Sequence, residues 1–222
     1  MNDYWNRPNI VSYFSTLEPP EYWVKKFEAL FNKPKIKVLD VGCGGGRNLY
    51  MLLKMGYDAY GCDFHENMVI ETRNKIANVI KNDNAKKRIM QADMRELPYK
   101  DNLFDYVIAN GILHNVSNLE DYICSIIQLS RVLKNKGELC LNVFTANYID
   151  NSLKQIDKTG LFKTEEGLDM FLLPSHKILE IFENHGMHLK EEKKEYNSKV
   201  FTGSRSVLRA VFYKRHEGAK ND

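Results

Sequence analysis

Hydrophobic positions along the chain alternate between short extended runs and longer helical repeats. Ile36, Val38, Leu39 and Val41 mark a buried strand over 36–41, followed by the turn Gly42-Cys43-Gly44-Gly45-Gly46 and a helix from Arg47 to Gly56. A second strand spans 58–62. Met68, Val69, Ile76 and Val79 then share a face of a long helix predicted over 66–81, and Asn82-Asp83-Asn84 has turn chemistry. A short third strand covers 88–91, and a stronger fourth covers 104–109 and ends at Asn110-Gly111. Ser117-Asn118-Leu119-Glu120 has the form of a capping box. It opens a helix with Tyr122, Ile126, Leu129, Val132 and Leu133 on its apolar face; Lys134-Asn135-Lys136-Gly137 ends that helix and turns into a fifth strand over 138–144. Strands and helices in strict turn predict an α/β fold, a mostly parallel sheet with helices on both faces.

The flanks depart from this order. Residues 1–34 hold Tyr4, Trp5, Tyr13 and Phe14, then Pro19-Pro20, which blocks helix continuation. This aromatic segment reads equally as a cap over a pocket or as an arm resting on the domain. A helix over 21–31 follows, with Trp23, Phe27, Leu30 and Phe31 on one face, and Pro34 closes it. Residues 145–173 show no clear period, and a stretch of that length is expected to be a substrate-side insertion. Beyond it, 174–222 predicts a helix from Pro174-Ser175 to Gly186 and two extended segments, 187–196 and 206–214, forming a hairpin at a sheet edge. The whole chain reads as one domain around a core at 35–144.

Composition changes this picture little. A chain of 222 residues, 43% hydrophobic and 27% charged, makes one domain with a sizeable core. The net charge of +3 gives no particular support for a polyanionic partner; Lys86-Lys87-Arg88 is a local basic patch, and the lysines of 190–194 are interleaved with glutamates. Four cysteines, Cys43, Cys62, Cys124 and Cys140, lack metal-site or redox-pair spacing and read as reduced thiols. The N-terminus has no basic stretch followed by an apolar run, and no apolar segment approaches the roughly 20 residues needed to span a bilayer. The expectation is a cytoplasmic protein with no membrane partner.

The glycine turn carries the chemistry. Glycines belong where backbone turns tightly and passes close to a ligand, and the helix after the turn directs free N–H groups at what lies there. A dinucleotide fingerprint would place its third glycine at position 47, which is Arg47, so a nicotinamide dehydrogenase is the weakest reading. Asp40 with Gly42, Gly44 and Gly46 instead resembles motif I of the class I S-adenosylmethionine-dependent methyltransferases. Four further segments carry the same resemblance: Asp63-Phe64-His65-Glu66-Asn67-Met68, Gln91-Ala92-Asp93-Met94, Phe104-Asp105-Tyr106-Val107-Ile108 and Leu129 to Gly137. They extend from about Lys37 to Phe144, and more loosely to Lys214, and are similar to the small enzymes that act on diverse metabolites.

The resemblance implies a Rossmann-like, seven-stranded, mostly parallel sheet with an antiparallel last strand, and S-adenosyl-L-methionine as cofactor. It places Asp40 and the backbone of Gly42, Gly44 and Gly46 around the methionine part, with Asn110 at its end. Asp63 is implied at the ribose hydroxyls, with Phe64 and Met68 in the same cofactor segment; Asp93 is implied at the adenine amino group, and Met94 beside the ring. Methyl transfer from a sulfonium is a direct displacement, so the protein must align the acceptor and take its proton if there is one. No metal is required. His114, following the fourth strand, is the candidate base, and Tyr4, Tyr13, Tyr148 and Arg205 are candidate acceptor contacts by location alone.

Several acceptor signatures are missing. The fourth strand ends in Asn110-Gly111-Ile112-Leu113, not the Asn/Asp-Pro-Pro-aromatic platform of adenine methylation, and the paired glutamates of arginine methylation are not found there. The leading expectation is therefore methylation at an O or N atom of a small molecule. A tRNA-directed methyltransferase and a non-catalytic cofactor-binding module are the alternatives. Oligomeric state is not legible.

Overall fold

A computed structural model describes residues 3–80 and 82–215. Its centre is a sheet in the order β10-β11-β5-β4-β1-β2-β3. The parallel strands are β1 (Lys37–Val41), β2 (Asp58–Asp63), β3 (Ile89–Gln91), β4 (Phe104–Asn110) and β5 (Leu133–Ile149). The last strand, β11 (Gly203–Lys214), runs antiparallel to β5. On its far side β9 (Met187–Leu189) pairs with Phe212 to Lys214 and β10 (Lys194–Val200) pairs with Gly203 to Arg209. Those two registers do not overlap, so β9 and β10 share one position and the sheet is seven positions wide.

Helices cover both faces because the strand residues alternate between two cores. Leu39 and Val41 join Tyr122, Ile126, Leu129 and Val132 of α6 (Leu119–Val132) and Ile178 and Phe182 of α7 (Ser175–Asn184). Val38 faces the other way, toward Trp23 and Phe27 of α2 (Glu21–Glu28), Leu49 and Leu52 of α3 (Arg47–Lys54), and Val69 and Ile76 of α4 (Glu66–Ile76). Each fully buried aliphatic or aromatic side chain of this kind contributes about 1.5–3 kcal/mol, so the helical stripes bind α6 and α7 firmly to the sheet.

The predicted elements shift in several places. The turn expected at 82–84 opens a helix, α5 (Asn82–Arg88), because Asn and Asp serve helix starts as well as turns and good helix formers follow. The predicted long helix over 66–81 stops at Ile76, and its expected last residue, Lys81, lies outside the described residues. The α2 helix ends at Glu28, which leaves Phe31 87% exposed instead of on the buried face. The α6 cap is Asn118, whose side chain accepts from the Asp121 N–H at 2.8 Å, one residue beyond the expected Ser117. The polar stretch 134–137 is not a turn: β5 starts at Leu133, with Lys136 in the left-handed region at φ 64°.

Two segments lacking a readable period are ordered. Residues 145–173 hold a separate antiparallel sheet of β6 (Leu153–Gln155), β7 (Leu161–Thr164) and β8 (Asp169–Phe171). Strands of three and four residues are too short to show alternation. The N-terminal arm forms a 3-10 turn over Asp3–Asn6 and the helix α1 (Pro8–Thr16). Tyr4 and Ile10 bury themselves in a third core with Met68, Leu153, Phe162 and Leu168, tying the arm to both α4 and the small sheet. Among the described residues no helix is long and apolar enough to cross a membrane.

Candidate cofactor and acceptor site

At the C-terminal ends of β1, β2 and β4 the structure contains a cavity of about 420 Å³. The glycine turn forms its floor. The N–H groups of Gly42 and Cys43 both donate to the Cys62 carbonyl, at 2.8 and 2.9 Å, which anchors the turn to the end of β2. Gly42, Gly44 and Gly46 all have positive φ, and a Cβ on Gly44 would meet nothing within 4 Å, so bare backbone faces open space there. At Gly45 the close approach is to protein: a Cβ would lie 2.5 Å from the Phe14 carbonyl.

Two carboxylates stand on the wall in different states. Asp63 is buried and accepts from the Gly44 N–H and the His65 N–H, each at 2.9 Å, so its oxygens face the turn with lone pairs to spare. Asp93 is held by Arg95, which donates from Nε at 3.0 Å and from Nη2 at 2.6 Å and also reaches Asp121 at 3.0 Å. Burial alone would raise the Asp93 carboxyl, but the Arg95 hydrogen bonds hold it below its ordinary value. Asp93 is thus ionised and already partnered.

Of the residues singled out from sequence, Gly42, Gly44, Asp63, Phe64, Met68, Asp93, Met94 and Asn110 line the cavity. Gly46 and Asp40 stand behind it. Asp40 is buried, takes the Asn48 side-chain N–H at 3.3 Å, and keeps Oδ2 unpartnered among the described residues.

The residues chosen for chemistry and acceptor contact lie elsewhere. His114 is 2% exposed and stacked on Phe144 at 4.1 Å, with Nδ1 accepting the Phe144 N–H at 3.3 Å. Burial, aided by Arg205, pushes its imidazole down to about 3. His114 does not line the cavity, and its buried, weakly basic ring packs on Phe144. Arg205 is buried and donates to Ser152 Oγ at 2.9 Å, to the Thr202 and Ser204 carbonyls at 2.5 and 2.8 Å and toward Asp150 at 3.5 Å. It ties β11 to the start of the small sheet. Tyr4 is buried in the third core, Tyr13 leans on Phe201, and Tyr148 is exposed. None of these four lines the cavity.

Trp5 and Phe14 of the arm, Leu168 just before β8 and Asp169 at its start add to the wall. The aromatic arm gave a signal for the first pair. Leu168 and Asp169 had none, since only tertiary folding brings them across.

Residues 39–141 match the family described as "Methyltransferase domain". Those residues form a class I S-adenosylmethionine-dependent methyltransferase domain. A ubiquinone biosynthesis O-methyltransferase of Rickettsia akari is 27% identical over 205 residues, covering 86% of this chain and 76% of that protein. A probable tRNA methyltransferase 9B of Mus musculus is 31% identical over 137 residues, 61% of this chain but 28% of that protein. Among solved structures, an S-adenosylmethionine-dependent methyltransferase of Methanosarcina mazei superposes with a TM-score of 0.73 at 16% identity, covering 90% of this chain and all of that one. That last likeness is one of fold.

The methyltransferase's cavity fits the cofactor on its own geometry. The open space at Gly44 admits a ligand against bare backbone, and Asp63 offers an ionisable acceptor beside it. Among the described residues, Asn48 Oδ1, His65 Nε2 and Asn115 Oδ1 are buried without partners, and all three residues line the cavity. Buried polar atoms left unsatisfied cost about 1–3 kcal/mol each, so a polar ligand in this place relieves them.

Proposed function

We propose that this methyltransferase transfers a methyl group to an oxygen or nitrogen of a small molecule held between the glycine turn, the aromatic arm and the small sheet. The observation that carries the reading is the wall itself. Trp5, Phe14 and Leu168 give an apolar wall to a single cavity of about 420 Å³ that also holds the glycine turn, a volume suited to small molecules. The extended similarity to an enzyme named for O-methylation of a small molecule supports the same class.

When bound, S-adenosyl-L-methionine supplies a methyl carbon made electrophilic by a positive sulfur. The chain's part is to bind and orient. In this reading the backbone at Gly42 and Gly44 lies along the amino-acid tail, Asp63 accepts from the ribose hydroxyls, and Met94 lies against the base, with Asp93 beside it. Because Arg95 already takes both Asp93 oxygens, the adenine amino group shares that carboxylate with a guanidinium. Trp5 and Phe14 exclude water from the acceptor side. For the acceptor's proton, Asp121 and Asp169 are engaged by Arg95 and Lys163, at 3.0 and 3.1 Å, whereas His65 Nε2 has no partner among the described residues.

The test is release of S-adenosylhomocysteine with fractionated hydroxylated and amine metabolites as acceptors. Turnover with a small acceptor that is lost in a Trp5→Ala, Phe14→Ala variant supports the reading; turnover restricted to a macromolecular fraction contradicts it.

A second reading, methylation of RNA, is favoured by the identity to the named tRNA methyltransferase. Its local support is reduced because Arg88 of the basic patch is paired with Asp58 at 2.6 Å. RNA binding with a steep salt dependence would favour it.

A further inference from the structure

The α2 helix precedes the alternating strands and helices, yet two of its side chains end on a cavity residue. Trp23 Nε1 donates to Asn110 Oδ1 at 3.1 Å, and Tyr22 Oη donates to the same oxygen at 3.3 Å. An indole N–H has no acceptor function, so the amide must turn its oxygen, not its nitrogen, toward Trp23. The Tyr22 hydroxyl has the same polarity: Asn142 Nδ2 donates to it at 2.8 Å, which leaves its own proton for Asn110. The Arg209 guanidinium stacks 3.8 Å over the Tyr22 ring and steadies it. The flipped orientation of the amide is therefore not open to Asn110. Its Nδ2 carries two hydrogens with no hydrogen-bond acceptor among the described residues, on a side chain that lines the cavity.

Arg47 lines the same cavity and lies close enough to Tyr22 for their charges to interact. Among the described residues Arg47 forms no ion pair within 4 Å; the Asp40 carboxyl behind the turn is the acid that acts on its charge, and its hydrogen bond to the Glu18 carbonyl is a long one, 3.5 Å. A guanidinium and a fixed amide NH₂ on one wall present donors only, and the complementary ligand group is a carboxylate.

We propose that Tyr22 and Trp23 are positioning residues that lock the Asn110 amide with its NH₂ toward the cavity, where Asn110 and Arg47 together receive the carboxylate of the cofactor's amino-acid tail. The inference rests on the cofactor placement above. It gives α2, whose Trp23 and Phe27 also pack in the core, a second role, and two donors on Oδ1 polarise the amide and strengthen what its NH₂ gives.

The test compares two ligands, S-adenosylhomocysteine and 5′-methylthioadenosine, which keeps the nucleoside and thioether but lacks the amino-acid tail. Tyr22→Phe and Trp23→Phe should each weaken S-adenosylhomocysteine about tenfold and leave 5′-methylthioadenosine unchanged. In an Asn110→Ala background neither should weaken it further, because a positioning effect disappears with the group positioned. Equal weakening of both ligands, no weakening, or full additivity with Asn110→Ala would overturn the proposal. Should Trp23→Phe fail to fold, the Tyr22→Phe cycle decides alone. Wild-type protein that binds neither ligand would overturn the cofactor placement itself, a distinct result.

Discussion

The main chain of Phe14 lies directly against the Cα of Gly45, so that a methyl group on that glycine would sit 2.5 Å from the Phe14 carbonyl and the Ser15 nitrogen. The N-terminal arm is thereby docked on the glycine turn, and the arm is further held by Lys75 donating to the Ser15 carbonyl at 2.8 Å and Asn67 to the Asn6 carbonyl at 2.9 Å. The cavity's aromatic wall and its glycine floor are one contact apart.

Gly45→Ala should therefore displace the arm while leaving the core intact. The atoms it meets are backbone and cannot swing aside. Hydrogen exchange should quicken across 3–17 with little change elsewhere. Gly44→Ala is the control: its Cβ meets open space, and its φ of 53° costs about 1–2 kcal/mol of backbone strain without touching the arm. Unchanged exchange at 3–17 in Gly45→Ala would show that the arm does not depend on this contact.

Two buried groups with opposite shifts give a second prediction. Burial pushes the Asp40 carboxyl up to about 7, against the Asn48 hydrogen bond and the Arg47 charge. Between about 4 and about 7 the folded state binds the extra proton, so this group's contribution to stability falls as pH rises. His114 is the reverse. With its imidazole pushed down to about 3 from 6.5, the unfolded chain binds the extra proton over that interval, and its contribution rises with pH. From about pH 4 to 6.5 the two slopes oppose and nearly cancel. Urea unfolding of Asp40→Asn should show stability rising across that window, and His114→Phe should show it falling. Parallel, flat profiles in both variants would contradict these assignments.

Much of the fold was legible because the core strands and helices carry their own periodicity. Leu39 and Val41 on one face, with Val38 on the other, announce a strand covered on both sides, and the stripe from Tyr122 to Val132 announces α6. The cavity floor was legible too, since Gly44, Asp63 and Asn110 sit at strand ends in chain order and line one cavity. The wall above it was not. Leu168 lies in the turn before β8 and Asp169 begins that strand, which is too short to show a period, and from sequence Trp5 reads as cap or arm alike. For His114, a position just after β4 fixes the backbone near the cavity but not the direction of the side chain, and this ring stacks on Phe144. Arg205 is likewise a residue whose surroundings sequence does not give, since its guanidinium is held by the carbonyls of its own turn.

The central claim is that bare backbone at Gly44 and the carboxylate of Asp63 grip the cofactor, and calorimetric titration of wild-type and Asp63→Ala protein with S-adenosylhomocysteine tests it most directly. The structure predicts saturable binding by wild type and an affinity lower by about a hundredfold in the variant, as two hydroxyls lose a charged acceptor. No heat with wild type, or equal affinity in the two proteins, would contradict it.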